Sequence, residues 1–168
     1  MGHNDCELNL SYPPVEVTEK NCTYACLLLN DYAGKNGELT ALTQYFYQYL
    51  ITKYKYINFG ETLECIAICE MRHMEMLGEL IVQLGGNPLY RTVNNRNNQF
   101  WCGYNVSSTQ DIIRFLKENI QAENIAIKNY EARICQINDS KIQKVLERII
   151  LDEKHHINIF SSYIDEFI

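Results

Sequence analysis

The chain has 168 residues, 46% of them hydrophobic, which is enough for one domain with a substantial core. Its formal net charge of −6, spread along the chain, lacks the basic surface that nucleic-acid binding requires. No apolar run approaches a membrane span, and the first residues lack the basic and apolar regions of a signal peptide, so we expect a cytoplasmic protein with no membrane partner.

Residues 1–20, which contain Pro13-Pro14, are predicted to form an extended arm. Residues 21–168 are predicted to form one domain, in which glycine and proline fall mostly at the ends of periodic segments. Four long helices are expected, at about Cys22–Thr52, Asn58–Leu84, Thr109–Gln136 and Ser140–Phe167. This pattern leaves little room for strands and predicts an all-α fold.

The first predicted helix carries Glu38, and Tyr45 follows seven residues later. Its apolar stripe is less regular than those of the other helices, because Asp31, Gly34 and Gly37 lie nearby. From the pattern alone, Glu38 is therefore the weakest of the candidate metal ligands.

The second predicted helix has a regular apolar stripe that is interrupted at only two places, Glu70 and His73. The stripe runs through Phe59, Leu63, Ile66, Glu70, His73, Leu77, Leu80 and Leu84. Residues three apart lie on one face of a helix, so this pair could bind a single metal ion. An unpaired carboxylate in such a stripe would be strongly disfavoured, which indicates a compensating charge.

The connection between the second and third helices is predicted to be a long crossover of roughly two dozen residues, whereas the other two connections are short. Short connections join antiparallel neighbours, so we predict two antiparallel hairpins in a four-helix bundle. The crossover, residues 87–105, is polar but contains aromatic residues that should anchor it along the bundle. These are Tyr90, Phe100, Trp101 and Tyr104.

The third and fourth predicted helices repeat the arrangement of the first two. Glu123 is the sole acidic residue of the third stripe, and Tyr130 follows seven residues later. In the fourth helix, Glu153 and His156 interrupt the stripe at the same phase as the pair in the second helix. Two such pairs could arise by coincidence as ordinary core or surface histidines, but their shared phase within apolar stripes favours a metal site.

Together the helices predict a dinuclear metal site. Its six expected ligands are Glu38, Glu70, His73, Glu123, Glu153 and His156. The negative charges of four carboxylates equal the positive charges of two divalent ions, and the two imidazoles are neutral. A ligand set without thiolate favours iron or manganese over zinc or copper(I). Tyr45 and Tyr130 are candidate catalytic residues beside the ligands, although packing in the core with a satisfied hydroxyl explains them about equally well.

The seven cysteines form an odd set without Cys-x-x-Cys spacing, which argues against a disulfide framework or a zinc ribbon. They are Cys6, Cys22, Cys26, Cys65, Cys69, Cys102 and Cys135. The pairs Cys22/Cys26 and Cys65/Cys69 are four residues apart on predicted helices, where we expect small buried thiols rather than a redox pair.

At these residues the chain resembles the ferritin-like superfamily, most closely its bacterioferritin, rubrerythrin and manganese-catalase-like branches. The resemblance covers nearly all of residues 22–168. It rests on Glu38 with Tyr45, Glu70-Met-Arg-His73, Glu123 with Lys128-Asn129-Tyr130, and Asp152-Glu153-Lys-His-His156. The last run looks like the bacterioferritin Asp-Glu-x-x-His, whose aspartate orients a ligand histidine, so the resemblance gives Asp152 that role. Cys69 stands at the corresponding place before Glu70, so the other histidine is expected to lack such a partner.

The resemblance implies an oxidoreductase of the peroxidase, catalase or ferroxidase type, with two iron or two manganese ions per subunit. It would react with peroxide or dioxygen and use an electron donor that the sequence does not identify. Two alternatives stay open: an iron-storage cage of the bacterioferritin type, and a structural protein whose metal only staples the bundle.

The resemblance also gives expectations for assembly and for haem binding. Twelve residues follow His156, so the short fifth helix of cage-forming ferritins is expected to be missing, and we predict a homodimer or another small homo-oligomer. Met71 stands where bacterioferritins have their haem-ligand methionine, but methionine is common on such helices, and haem is not expected.

Overall fold

A computed structural model describes residues 6–93 and 98–168, so residues 1–5 of the predicted arm and 94–97 of the crossover lie outside the described part. The helices are α1 Cys22–Ala33, α2 Glu38–Thr52, α3 Ile57–Gln83, α4 Ile112–Gln136 and α5 Ser140–Phe167, and the strands are β1 Arg91–Val93 and β2 Asn98–Phe100. α2 packs against α3, and α4 packs against α5, as two hairpins joined by the crossover. The predicted helical bundle is confirmed.

The first predicted helix, Cys22–Thr52, is wrong as a single element, because a bend separates α1 from α2. Gly34 and Gly37 lie so close to α1 that a side-chain carbon added to them would be 2.3 Å and 2.4 Å, respectively, from a backbone carbonyl oxygen. Only glycine permits this approach without a shift of the backbone. As a result, Glu38 becomes the first residue of α2, where the helix dipole favours a carboxylate.

Three other helix ends follow ordinary capping rules. After α3, Gly85 adopts a φ of 87°, the left-handed conformation that favours glycine. Asp111 and Asp139 cap α4 and α5, because their carboxylates accept hydrogen bonds from backbone N–H groups of the first turn. α4 therefore begins three residues after the predicted Thr109, whereas α5 has its predicted range. Among the described residues, no helix combines the length and the apolar character needed to cross a membrane.

The crossover contains a short antiparallel hairpin of β1 and β2 that the sequence pattern did not predict. Trp101 anchors the crossover, since its indole N–H donates to Thr40 Oγ1 at 3.0 Å and its ring packs on the core. Tyr90 contacts the ring of a tyrosine on α1. Phe100 and Tyr104 are exposed, so the anchoring role predicted for them is wrong.

Residues 6–20 run along the bundle and contain no helix or strand. A disulfide joins Cys6 of this arm to Cys65 of α3. The expectation of unpaired thiols is therefore wrong for these two residues. Motifs such as Cys-x-x-Cys concern cysteines that are close in sequence, whereas this bond joins residues 59 positions apart. The expected burial of Cys22 and Cys26 is also wrong, because both are exposed on α1. The division of the chain into an arm and a domain stays a prediction.

The apolar core forms two layers. One layer lies beside α1 and includes Leu28, Leu77, Leu80, Leu146 and Ile149. The other lies toward the opposite end of the bundle and includes Phe59, Leu63, Ile66, Phe115 and Phe160. In the sequences of α3, α4 and α5, the buried acidic residues and histidines fall between the segments that build these two layers. The bundle therefore carries a polar layer between two apolar ones.

Leu77 tests the first apolar layer, in which it is fully buried. We expect Leu77→Ala to lower the free energy of unfolding by about 3 kcal/mol, because the lost methyl groups leave a cavity. Chemical denaturation measures the change. The control is Val82→Ala on α3, which is 56% exposed and should cost less than about 0.5 kcal/mol. Equal effects of the two substitutions would contradict this description of the core.

Candidate metal centre

Six ionisable side chains meet in the polar layer, and they are the six predicted ligands. α2 supplies Glu38, α3 supplies Glu70 and His73, α4 supplies Glu123, and α5 supplies Glu153 and His156. None of them is more than 3% exposed. The structure thus brings together all the residues that the sequence pattern singled out, and their role as ligands remains a prediction.

The ligand atoms fall into two groups of four, and within each group they all lie within 4.8 Å of one another. One group consists of Glu38, Glu70, His73 and Glu153, and the other of Glu70, Glu123, Glu153 and His156. Glu70 and Glu153 belong to both groups. Such an arrangement has room for two cations that share two carboxylates, as in two-metal sites.

Both histidines direct Nδ1 toward the carboxylates. His156 Nδ1 lies 3.0 Å from Glu70 Oε1 and 3.0 Å from Glu153 Oε2. His73 Nδ1 lies 3.1 Å from Glu70 Oε2 and 3.3 Å from Glu153 Oε1. Neighbouring ligand atoms of an octahedral ion with bonds of about 2.1 Å are about 3.0 Å apart. The observed separations therefore match atoms arranged around common centres.

Two carboxylate oxygens in the cluster have no hydrogen-bond donor. Glu70 Oε1 and Glu153 Oε1 are buried and accept no hydrogen bond within the described residues, although a histidine Nδ1 lies near each. One imidazole nitrogen carries at most one proton, so it cannot satisfy all the oxygens around it. A buried carboxylate oxygen without a donor is costly, and a bound cation removes that cost. The residues present therefore fit a dinuclear metal centre.

The outward nitrogen of each histidine has its own acceptor. His73 Nε2 lies 3.2 Å from Asp152 Oδ2, and His156 Nε2 lies 3.1 Å from the carbonyl oxygen of Cys6. With metal bound, the ring proton would lie on Nε2 in both rings, which would leave the Nδ1 lone pair free to bind the ion. Asp152 thus contacts one histidine, as the resemblance implied. The other histidine, which was expected to lack an aspartate partner, has the backbone carbonyl of Cys6 in that place.

The two predicted catalytic tyrosines bind carboxylates of the opposite hairpin. The hydroxyl of Tyr45 on α2 donates to Glu123 Oε1 at 2.5 Å, and that of Tyr130 on α4 donates to Glu38 Oε1. Burial, and then the nearby Glu123 carboxylate, raise the pKa of Tyr45 well above its usual value, so this hydroxyl keeps its proton. Both tyrosines therefore orient predicted ligands, and their participation in catalysis stays a prediction.

Without metal, the cluster holds protons in place of cations. Burial, and then the neighbouring carboxylates, raise the pKa of Glu38 well above its usual range and that of Glu123 to about 8. Burial opposes protonation of both histidines, yet the surrounding carboxylates raise their pKa well above the usual value. The site thus requires positive charge, which two divalent ions would supply.

A cavity of about 170 Å³ lies between α2 and α4 and is lined by Glu38, Glu123 and Glu153. Uncharged polar side chains, including Gln44 and Ser107, also line it. The cavity gives small molecules a route to the carboxylates.

The sequence pattern missed two residues around Asp152. Arg148 is buried and contacts Asp152 Oδ2 at 2.6 Å, and Tyr12 donates its hydroxyl to the same oxygen at 2.5 Å. The spacing of four residues from Arg148 to Asp152 is that of a helical ion pair and could have revealed the first contact. No local signal reveals the second, which joins residues 140 positions apart.

Comparison with known proteins places the fold in a family. A model of the ferritin-like domain matches residues 29–167, and the chain therefore belongs to the ferritin-like family. A probable manganese catalase from Clostridium acetobutylicum is 29% identical over 164 residues, covering 87% of this chain and 72% of that protein. A bacterioferritin from Streptomyces coelicolor is 26% identical over 133 residues, covering 77% and 74% of the two chains. The crystal structure of a manganese catalase from Anabaena has a TM-score of 0.84 at 26% identity, covering 95% of this chain and 80% of that one.

Proposed function

We propose that this protein is an oxidoreductase with a dinuclear manganese or iron centre that reacts with hydrogen peroxide. The observation that carries the proposal is the sharing of Glu70 and Glu153 by two compact ligand groups. A metal ion that only stabilises a bundle needs one site whose coordination is filled by the protein. Shared carboxylates instead hold two ions close enough to act on one small substrate. The similarity to manganese catalases supports peroxide as that substrate.

In this proposal, Glu38 and His73 hold one ion, Glu123 and His156 hold the other, and two carboxylates are shared. Oxygen and nitrogen ligands without thiolate suit manganese or iron. Each of these metals changes its oxidation state reversibly, so a pair supplies the two electrons that a peroxide molecule accepts or gives up. The remaining chemistry belongs to the side chains of this chain.

The glutamates at the cavity are suited to accept and return protons. Glu38 and Glu123 both line the cavity, and each has one oxygen held by a tyrosine hydroxyl. Disproportionation of peroxide moves protons from one peroxide molecule to another, so it requires groups whose pKa lies near neutrality. The position of both glutamates at the cavity, each beside a tyrosine hydroxyl, supports this role.

The cavity also limits the size of the substrate. Its volume of about 170 Å³ accommodates a few small molecules, given a volume of about 30 Å³ per water, but no large organic reductant. The apolar layers on both sides keep the polar layer from bulk water, which strengthens its electrostatic interactions.

The test compares protein produced in manganese-rich and iron-rich media after its metal content has been measured. We expect the manganese-loaded form to evolve dioxygen from hydrogen peroxide, and Glu153→Gln to abolish this activity. Glu147→Gln, at an exposed position on the same helix, is the matched control and should retain it. A loaded protein that turns over neither peroxide nor dioxygen would indicate a metal that only stabilises the bundle.

Ferroxidase activity with iron storage is the second candidate, and the similarity to a bacterioferritin favours it. The two candidates differ in assembly. We propose a homodimer or another small homo-oligomer, because α2 exposes apolar side chains such as Phe46 and Leu50. Light scattering after iron loading tests this: a hollow, mineral-filled cage would favour storage over the peroxide-dependent enzyme.

A further inference from the structure

The N-terminal arm reaches the outer side of both predicted ligand histidines. The carbonyl oxygen of Cys6 lies 3.1 Å from His156 Nε2. Tyr12 donates its hydroxyl to Asp152 Oδ2 at 2.5 Å, and the same oxygen lies 3.2 Å from His73 Nε2. One short segment, residues 6–12, therefore contacts one histidine directly and the other through a single carboxylate.

Buried polar contacts dock this segment on α5. Arg148 is only 5% exposed, and it donates to the carbonyl oxygens of Leu8 and Leu10 at 3.0 Å each. Its guanidinium also lies 4.2 Å from the centre of the Tyr12 ring. The backbone N–H of Leu8 donates to Asp152 Oδ1 at 3.2 Å. The arm therefore supplies hydrogen bonds to both oxygens of the carboxylate that faces the metal ligand.

The Cys6–Cys65 disulfide fixes the start of the segment to α3. The same residue provides the sulfur of this bond and the carbonyl that accepts from His156. The neighbouring noncovalent contact is an exposed ion pair between Glu7 and Arg72, a kind of contact that adds little stability. Loss of the covalent bond would release the first residue of the segment, whose nearest buried polar anchors are the contacts of Leu8 with Arg148 and Asp152.

We propose that residues 6–12 form a clamp on the metal centre, in which Cys6 and Tyr12 are positioning residues and the disulfide keeps the clamp closed. This inference rests on the proposed dinuclear site. The disulfide forms when the thiols of Cys6 and Cys65 lose two electrons and two protons to hydrogen peroxide, which becomes two water molecules. A dithiol reductant returns the electrons and protons and becomes a cyclic disulfide itself. The protein thus holds its metal more tightly under oxidising conditions than under reducing ones.

The experiment measures how fast the manganese-loaded full-length protein loses Mn²⁺ to a chelator. Removal of groups that orient ligand histidines changes metal affinity by about 10-fold to 100-fold. We therefore expect Cys65→Ser to lose metal at least about 10-fold faster than the wild type. Treating the wild type with a dithiol should give the same acceleration, and the dithiol should not accelerate Cys65→Ser further. Cys102→Ser, which removes a free cysteine of the crossover, is the control and should behave as the wild type.

A second variant tests the other positioning residue without touching the disulfide. Tyr12→Phe keeps the ring beside Arg148 and removes only the hydroxyl that binds Asp152. We expect faster loss of Mn²⁺ and an altered electron paramagnetic resonance spectrum of the bound ions, and a hydroxyl that only stabilises the fold would leave that spectrum unchanged. An unchanged rate and spectrum would overturn the role of Tyr12.

The outcomes separate the clamp from the proposed function. Equal rates for the oxidised wild type, the reduced wild type and Cys65→Ser would overturn the clamp. Metal content is measured before the chelator is added, so a wild type that binds no pair of ions would overturn the dinuclear site instead.

Discussion

Glu70→Gln is expected to empty the centre of both ions. Glu70 offers oxygens to both ligand groups, so one substitution removes an anionic ligand from each. We expect the metal content to fall from about two ions per chain to less than a tenth of that. Peroxide turnover should fall at least about 100-fold, since even groups that only orient ligands change affinity by up to about that factor.

Elemental analysis and an oxygen electrode measure the two effects. Glu75→Gln is the matched control, because Glu75 lies on the same helix with its side chain exposed. It should retain both the metal and the activity. A Glu70→Gln protein that keeps two ions would show that this carboxylate is not shared, and a wild type with one tightly held zinc would reject the dinuclear centre.

Removal of the metal is expected to destabilise the protein, and to do so more strongly as the pH rises. A ligand present at 100 times its dissociation constant stabilises a fold by about 2.7 kcal/mol for each site. Chelation should therefore lower the melting temperature by about 10 °C or more at pH 8. The loss should be smaller at pH 6.

Three kinds of ionisable group set this direction. The pKa of Glu123 in the metal-free fold is raised to about 8. The stability that this group contributes is therefore fully present below pH 4.5 and is lost as the pH rises through 8. The raised pKa of the histidines acts in the same sense above pH 6.5. Burial opposes ionisation of Glu70, but the histidines outweigh it and lower its pKa; its contribution is lost only as the pH falls below 4.5.

Bound cations replace these protons, so the melting temperature of the loaded protein should change little between pH 6 and 8. Metal affinity itself should increase with pH, because the ligands lose their protons. Thermal melts of loaded and chelated samples at both pH values measure the gap. Glu70→Gln serves as the control, since a protein that binds no metal should melt at one temperature with or without chelator. A gap that narrows with rising pH would contradict the clustering of these carboxylates.

Sequence periodicity predicted the parts of the fold that lie on regular helices. The stripe around Glu70 and His73 is buried along one face of α3, and α5, which carries the equivalent stripe, spans the range predicted for it. Three glutamates and two histidines, Glu70, His73, Glu123, Glu153 and His156, were predicted because a charged residue in an apolar stripe is conspicuous. Glu38 was the weakest prediction, and the structure explains why: it begins α2 directly after the Gly34–Gly37 bend, so no stripe precedes it.

Contacts between distant segments could not be predicted in this way. The disulfide of Cys6 and the hydrogen bond of Tyr12 join the arm to helices far along the chain. Helical periodicity describes neighbours three or four residues apart, and an extended arm has no such period. The partner of His156 is a backbone carbonyl, which carries no side-chain signal at all. The arm's part in the centre is therefore visible only in three dimensions.

The crosswise bonds of Tyr45 and Tyr130 bear on when the protein acquires its metal. Each tyrosine orients a carboxylate of the opposite hairpin, and each ligand group takes three residues from one hairpin and one from the other. A chain emerging from the ribosome with only its first hairpin complete therefore lacks the full ligand set of either ion site. In the proposed centre, metal would bind after the two halves have docked, so the ions available to the completed protein, and not to the growing chain, would decide what the centre contains.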